Sequence, residues 1–371
     1  MFSFSIKARE KNARAGTIKI NEDLFISTPL FMPVGTQATV KAVTPRMLEE
    51  LNIKAILSNA YHLYLRPGKE VIQKIGGLHK FCGFNGMILT DSGGFQLFSL
   101  NNMFTKSELG IGFSSPFDGS KHFLTPEDII EIQSQIGSDI AVCLDVCPSH
   151  DKIKGEIQES VQKTINWAER SIEARKKYPL NALFGIIQGG VYKDLREMCI
   201  EKMIKMPFEG YAVGGLMTGE CREETLNTVN LCSSCLPFDK PRYTMGVGMP
   251  EDILECVEEG IDMFDCVLPT RNARNGMLFT QKGDIHIKKR KYAFDENPIE
   301  GKCSCYTCQH FSRAYLRHLF KTNELLYYTL STIHNLHFYT SLMNNIKDAI
   351  LKHQFHLFKK DFLRKRNEKI D

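Results

Sequence analysis

The stretch LFGIIQGGVYKDLREMCIEKMIKMPFEGYAVGGL, residues 183–216, decides the fold. It opens on a short apolar run, 183–187, which breaks at once into Gln188, Gly189 and Gly190. An amphipathic run at 195–206 follows, then a second short apolar run, 211–213, which again breaks into glycines, Gly214 and Gly215. Short runs of this kind read as buried parallel strands, and the longer amphipathic one as the helix that returns the chain between them.

The same unit recurs outward in both directions. Further apolar runs lie at 30–34, 55–57, 87–89, 140–144, 243–247 and 263–268, which makes eight in all. Helical patterns fill most of the gaps, at 126–135, 157–177, 222–231 and 250–259. The first of them has Thr125 as N-cap, Pro126 at its first position and Glu127 and Asp128 in its first turn. Eight β/α units predict a TIM (β/α)8 barrel, with an open doubly wound sheet as the alternative. Two segments break the rhythm. Residues 104–124 have Gly, Ser and Pro spaced as in hairpins. Residues 282–307 follow the eighth run, are basic and cysteine-rich, and give way to helical sequence. Residues 353–371 read as a mixed-charge, solvated helix. No internal repeat is visible.

The 371 residues and 43% hydrophobic fraction exclude a disordered chain or a disulfide-stapled mini-protein. A net charge of +4 permits a polyanionic partner without demanding one. The start, MFSFSIKAREKNARAG, has no apolar core of a secretory signal, and no stretch approaches the length of a membrane span. The expectation is a cytoplasmic protein without a membrane partner. There the twelve cysteines are core residues, metal ligands or reactive thiols rather than disulfides.

Barrel catalytic groups sit at the C-terminal ends of strands. Those positions hold Asp91 in ILTDSGGFQ, Asp145 in AVCLDVC, Gln188, the Gly214–Gly215 pair, and Asp265 in MFDCVLPT. Any one aspartate there reads equally as a helix cap. Five polar or glycine ends on one barrel point to a shared mouth. The glycines after Gln188 and at 214–215 suggest backbone brought close to a ligand.

Cys303, Cys305 and Cys308 form C-x-C-x2-C, and His334 follows after 25 intervening residues. Three thiolates on a tight turn with one imidazole make a closed Cys3His set, which predicts one structural Zn2+. His337 competes for the fourth place, and chance clustering of cysteines is the bland alternative. Cys232 and Cys235 also form C-x2-C, but at a helix end with no second pair, and read as ordinary thiols. Past Asp265, PTRNARNG carries Arg271 and Arg274, which suit phosphate or base contacts. The run Lys288, Lys289, Arg290, Lys291 reads either as a backbone track or as a solvated face.

Together DSGGFQ, DVC, IIQGG, AVGGL followed by GE, GVG, FDCVLPTRNARNG and C-x-C-x2-C with its distant histidine resemble the tRNA-guanine transglycosylase family. The motifs fall in the family's order through nearly the whole chain. The resemblance implies a single catalytic (β/α)8 barrel domain, 1–371, with an inserted zinc-binding subdomain at about 282–340, and a homodimer that exchanges the wobble guanine in the anticodon loop of GUN-anticodon tRNAs for a 7-deazaguanine base. It implies Asp265 as nucleophile, through a covalent enzyme–RNA intermediate, and Asp91 as general acid/base. The base would be bound by Asp91, Ser92, Gly93, Gly94, Phe95 and Gln96, with Asp145, Cys147, Gln188, Gly214, Gly215 and Leu216. Tyr243 and Met245 would wall it. Gly246, Val247, Gly248, Thr270, Arg271 and Arg274 would face the RNA.

Met217 and Thr218 depart from the usual bacterial pair of a small residue and valine, beside the place of the base's 7-substituent. Met249 replaces a polar or basic residue. The incoming base is therefore 7-aminomethyl-7-deazaguanine or, alternatively, queuine, whose diol a Thr218 hydroxyl could bond and whose bulk a mobile Met217 could admit. Rival readings are a non-catalytic RNA-binding partner subunit, an archaeal-type enzyme acting in the D-loop, and a zinc module without chemistry. Asp91 and Asp265 in their motifs argue against the first, the absence of extra C-terminal domains against the second, and eight strands of barrel against the third.

Overall fold

A computed structural model describes residues 1–99 and 103–367 of the chain. Eight parallel strands form one sheet: β1 (Leu30–Pro33), β2 (Ala55–Asn59), β3 (Met87–Asp91), β4 (Ile140–Val142), β5 (Ala182–Ile187), β6 (Gly210–Val213), β7 (Arg242–Thr244) and β8 (Met263–Cys266). Each pairs with its neighbour in sequence, and β8 returns to β1 with Met263 opposite Leu30 and Cys266 opposite Pro33. The ring closes through a parallel bridge between Val34 and Leu57, where the Gly35 N–H donates to the Leu57 carbonyl at 2.6 Å. This closure decides for the barrel over the open sheet. Most strand residues are apolar because one side packs the barrel interior and the other the helices, and the polar ones gather at the strand ends and in β7.

Helices follow most strands, as the amphipathic runs predict: Pro126–Ile136, Lys154–Arg175, Lys193–Met203, Arg222–Cys235 and Pro250–Glu258. Thr125 caps the first of them in a capping box with Asp128. The hairpin segment after β3 is a three-stranded antiparallel sheet, Met103–Lys106, Ile111–Ser114 and Lys121–Leu124.

One sheet is additional to the predicted architecture. Ser3–Glu10, Ala13–Lys19 and Phe25–Thr28 form an antiparallel unit. Its buried Ala13, Ala15, Ile18 and Ile26 join the barrel core. Arg14, fully buried, forks onto Asp262 at the N-terminal end of β8, at 2.9 and 2.5 Å. Asp262 also accepts the Arg242 N–H at the foot of β7. This sheet therefore sits at the end of the barrel opposite the C-terminal ends of the strands.

The C-terminal helix, Phe355–Asn367, is not the solvated face expected of its mixed charge. Phe355, Lys359 and Phe362 are buried. Lys359 bonds Glu255 and Glu258, and Arg366 bonds Glu251 at 2.6 Å and Asp284 at 3.0 Å. The charges are partners for the helix Pro250–Glu258 and for the hairpin Met277–Thr280/Gly283–His286. Residues 368–371 of the predicted tail lie outside the described residues.

Candidate active site

The C-terminal ends of six strands deliver polar groups to one mouth. Asp91 ends β3 and is buried. Its Oδ2 accepts a 2.7 Å bond from Asn59 Nδ2 at the end of β2, and the same amide nitrogen donates to Gln96 Oε1 at 3.0 Å. Asp145, just past β4, accepts from Gln188 Nε2 at 2.6 Å. Gly94 lies so close to Asp145 that a Cβ there would stand 2.3 Å from its carboxylate oxygen. Asp265 on β8 is partly exposed, and its Oδ1 accepts both the Tyr243 hydroxyl, at 2.6 Å, and the Gly246 N–H, at 3.0 Å. No hydrogen bond occupies Asp265 Oδ2 among the described residues.

Burial raises the proton affinity of all three carboxyls, and neighbouring charge adds to it at Asp91. Burial, then the charges of Asp145 and Asp265, push Asp91 up to about 7. Burial pushes Asp145 up to about 6, against the Gln188 bond. Burial also raises Asp265, against the donors Tyr243 and Gly246. Asp91 is thus poised near neutrality, where a group can give and take a proton in successive steps.

The remaining candidates divide. Ser92, Gly93, Gly214, Gly215 and Leu216 line the same mouth at the ends of β3 and β6, and Cys147 is buried beside Asp145, its thiol pushed up to about 12 by burial. Phe95 is half-exposed and Met245 partly so. Tyr243 is fully buried and spends its hydroxyl on Asp265, so it orients the carboxylate rather than presenting an open wall. Val247 is buried in the core, and the Gly248 carbonyl accepts from Tyr339 at 2.5 Å. Thr270 is buried with its hydroxyl on the Val267 carbonyl, facing into the protein. Arg271 is exposed on the helix Leu268–Arg274, and Arg274 keeps a buried Nη1 without a hydrogen-bond partner.

Sequence reasoning missed Asn59 and Glu220. Asn59 terminates AILSN, so the strand-end rule applied to β2 would have found it. Glu220 organises the loop after β6: its carboxylate accepts the N–H of Met217 at 2.5 Å, the N–H of Thr218 at 2.9 Å and the Thr225 hydroxyl at 2.9 Å. The Thr218 hydroxyl also turns to Glu220, at 3.3 Å.

The second site lies at the hairpin after the helix Leu268–Arg274. The sulfurs of Cys303, Cys305 and Cys308 stand 3.8, 3.6 and 3.3 Å from His334 Nδ1, and all four residues are buried. A tetrahedral metal with bonds of about 2.3 Å to sulfur and 2.0 Å to nitrogen holds S and N about 3.5 Å apart. His334 Nε2 bonds the Phe279 carbonyl at 2.8 Å, which makes Nε2 the N–H and leaves the Nδ1 lone pair toward the sulfurs. These residues fit a metal ion. His337 Nδ1 reaches only Cys303, at 3.5 Å, while its Nε2 faces Ser304. Cys232 is buried and Cys235 exposed, both free thiols. A cavity of about 390 Å³ on the flank of β1 and β2, lined by Phe31, Lys54, Tyr339 and Lys347 among others, is remote from the carboxylates.

A closed parallel barrel with paired carboxylates at its catalytic face, an amide–carboxylate pair suited to a base edge, and a Cys3His cluster beside an arginine helix defines a glycosyl-transferring enzyme of nucleic acid. The chain belongs to the queuine tRNA-ribosyltransferase family, whose pattern it matches over residues 9–368. The family's members are tRNA-guanine transglycosylases, which are pentosyltransferases. The chain is 51% identical to a queuine tRNA-ribosyltransferase of Thermoanaerobacter pseudethanolicus over 97% of its own length and 96% of the relative's. It is 47% identical to those of Helicobacter pylori, over 98% of each chain, and Aquifex aeolicus, over the full length of both. Among the described residues no helix is long and apolar enough to cross a membrane.

Proposed function

We propose that this enzyme exchanges the wobble guanine of GUN-anticodon tRNAs for 7-aminomethyl-7-deazaguanine, with queuine as the alternative base, through a covalent enzyme–RNA intermediate. The observation that carries the reading is the division of labour among three carboxyls. Asp265 has both donors on Oδ1, so Oδ2 is the free nucleophile. It attacks the ribose C1′ as the C1′–N9 bond of guanine breaks, and Asp91, protonated near neutrality, gives its proton to the departing base. The incoming base passes its N9 proton to Asp91 and attacks C1′ in turn, releasing Asp265. Two displacements share one oxocarbenium-like geometry, as in retaining glycosidases. Asp145, ionised above its pKa of about 6, accepts from the N1–H and exocyclic amine, and Gln188 reads the base carbonyl.

The target base must leave its stack to reach this mouth. Arg271 and Arg274, on the helix that follows β8, would read the nucleotide beyond it. The Ile287 N–H donates to the Gly276 carbonyl at 2.9 Å, which brings the exposed run Lys288–Lys291 beside the end of the arginine helix, with Phe294 96% exposed just beyond. A basic track with an exposed ring suits an RNA backbone and an unpaired base. The metal is one zinc ion held by Cys303, Cys305, Cys308 and His334, and its part is structural, since four protein ligands close the site. The chain acts as one catalytic unit, in the cytoplasm, and as a homodimer. The test offers tRNA carrying labelled guanine with either base and measures guanine release. Release driven by neither base would overturn the reading.

A further inference from the structure

We propose that Arg196 is the positioning residue that turns the peptide N–H groups of Gly215 and Leu216 toward the base. The inference rests on the base-exchange reading and names a residue behind the site rather than in it. Arg196 lies on the helix Lys193–Met203 and is 1% exposed. No carboxylate pairs with it among the described residues. Its guanidinium donates instead to four backbone carbonyls: Ile187 at 2.7 Å, Gly190 at 2.8 Å, Gly214 at 2.8 Å and, at the limit, Gly215 at 3.5 Å. These lie at the end of β5 and in the loops after β5 and β6, so one side chain fixes both loops.

The consequence follows from the planar trans peptide, in which N–H and C=O point in opposite directions. With the Gly214 oxygen held by Arg196, the N–H of Gly215 faces away from it. With the Gly215 oxygen turned the same way, so does the N–H of Leu216. Gly215 holds φ +64°, and a Cβ there would stand 2.4 Å from Gln188 Oε1, so the position admits glycine only. Two further observations mark the place as one awaiting a ligand. Gln188 Oε1 is buried and unpartnered. Neither the Gly215 N–H, which lies near the Cys147 sulfur, nor the Leu216 N–H makes a hydrogen bond to a backbone carbonyl in this loop among the described residues. The two backbone donors, beside the Gln188 amide, match a base carbonyl, which guanine and its 7-deaza analogues carry.

Calorimetric affinities for guanine and for an anticodon stem-loop RNA, measured on the full chain, test this. Arg196→Lys and Arg196→Met should weaken guanine on the order of ten-fold or more, the worth of a charge-assisted hydrogen bond lost, while RNA affinity stays within about two-fold of wild type. Wild-type guanine affinity in either variant, or an equal loss for guanine and RNA together with a lowered Tm, would overturn the proposal. Should neither variant fold, hydrogen–deuterium exchange on wild type serves: guanine must slow exchange in residues 214–216, and no slowing would overturn it. Guanine binding without any base exchange by wild type would sink the transglycosylation reading while leaving this measurement intact.

Discussion

The Tyr243 hydroxyl donates a 2.6 Å hydrogen bond to Asp265 Oδ1, the oxygen that also receives the Gly246 N–H. Both donors favour the ionised carboxylate against the burial that raises its pKa. Tyr243→Phe removes the shorter of the two. Asp265 should then hold its proton to higher pH, so the acid limb of kcat/KM moves upward and kcat falls by about ten-fold. An unmoved acid limb would separate Tyr243 from the nucleophile's ionisation.

Asp91, raised from 3.8 to about 7, makes a paired prediction. As the acid for guanine departure it must be protonated, so guanine release should decline as pH rises through about 7. The stability effect has the opposite sense from a salt-bridged carboxylate. Because the folded pKa is raised, the folded state binds more protons than the unfolded one between pH 3.8 and about 7, and stability drops across that window as pH rises. Asp91→Asn should therefore abolish exchange yet raise Tm at pH 8, with a gain in unfolding free energy on the order of 2–4 kcal/mol. The gain should vanish below about pH 4. A Tm lower than wild type at pH 8 would contradict the cost assigned to this carboxyl.

The barrel was legible because parallel strands buried on both sides leave unbroken apolar runs, and their ends point to the mouth. Asp91, Asp145, Gln188 and Asp265 follow from that rule alone. Its partners were harder to see. Tyr243 sits inside a strand, where sequence cannot tell an inward ring from one that reaches a carboxylate, and Arg196 looks like any charged residue on an exposed helix. The N-terminal sheet carries a period-two signal in SFSIKARE, where polar and apolar residues alternate, but a run this short with half-exposed strands is not set apart from a loop by composition. The paired charges of the C-terminal helix are a tertiary fact, since Glu251, Glu255 and Glu258 lie about a hundred residues earlier, and composition gave only the solvated reading.

Metal retention separates the two histidines. Cys303→Ala and His334→Ala should each lower zinc content and Tm together, because a lost ligand opens the tetrahedral set and metal binding is part of the folding free energy. His337→Ala should keep one zinc per chain, since its ring reaches a single sulfur. Full zinc in the His334→Ala protein would move the fourth ligand elsewhere.

Selection between the two incoming bases should depend on Met217 rather than Thr218. The Thr218 hydroxyl is turned to Glu220, whereas Met217 is 46% exposed at φ +59° beside the mouth. A diol partner at Thr218 is therefore not favoured by the geometry. If the long flexible side chain shapes the space for the 7-substituent, Met217→Ala should change the ratio of specificity constants for queuine and the aminomethyl base several-fold, and Thr218→Val should leave it within about two-fold. Equal ratios in wild type and Met217→Ala would remove this loop from base choice.

The central claim is that Asp265 carries the RNA covalently. Incubating the enzyme with labelled anticodon stem-loop RNA, quenching in denaturant and running a denaturing gel tests it in one step. Wild type should show a band at the summed mass of protein and RNA, which disappears when the incoming base is added. Asp265→Asn, nearly isosteric and folded as judged by an unchanged zinc content, should show none. A band of wild-type intensity from the Asp265→Asn protein would contradict the account.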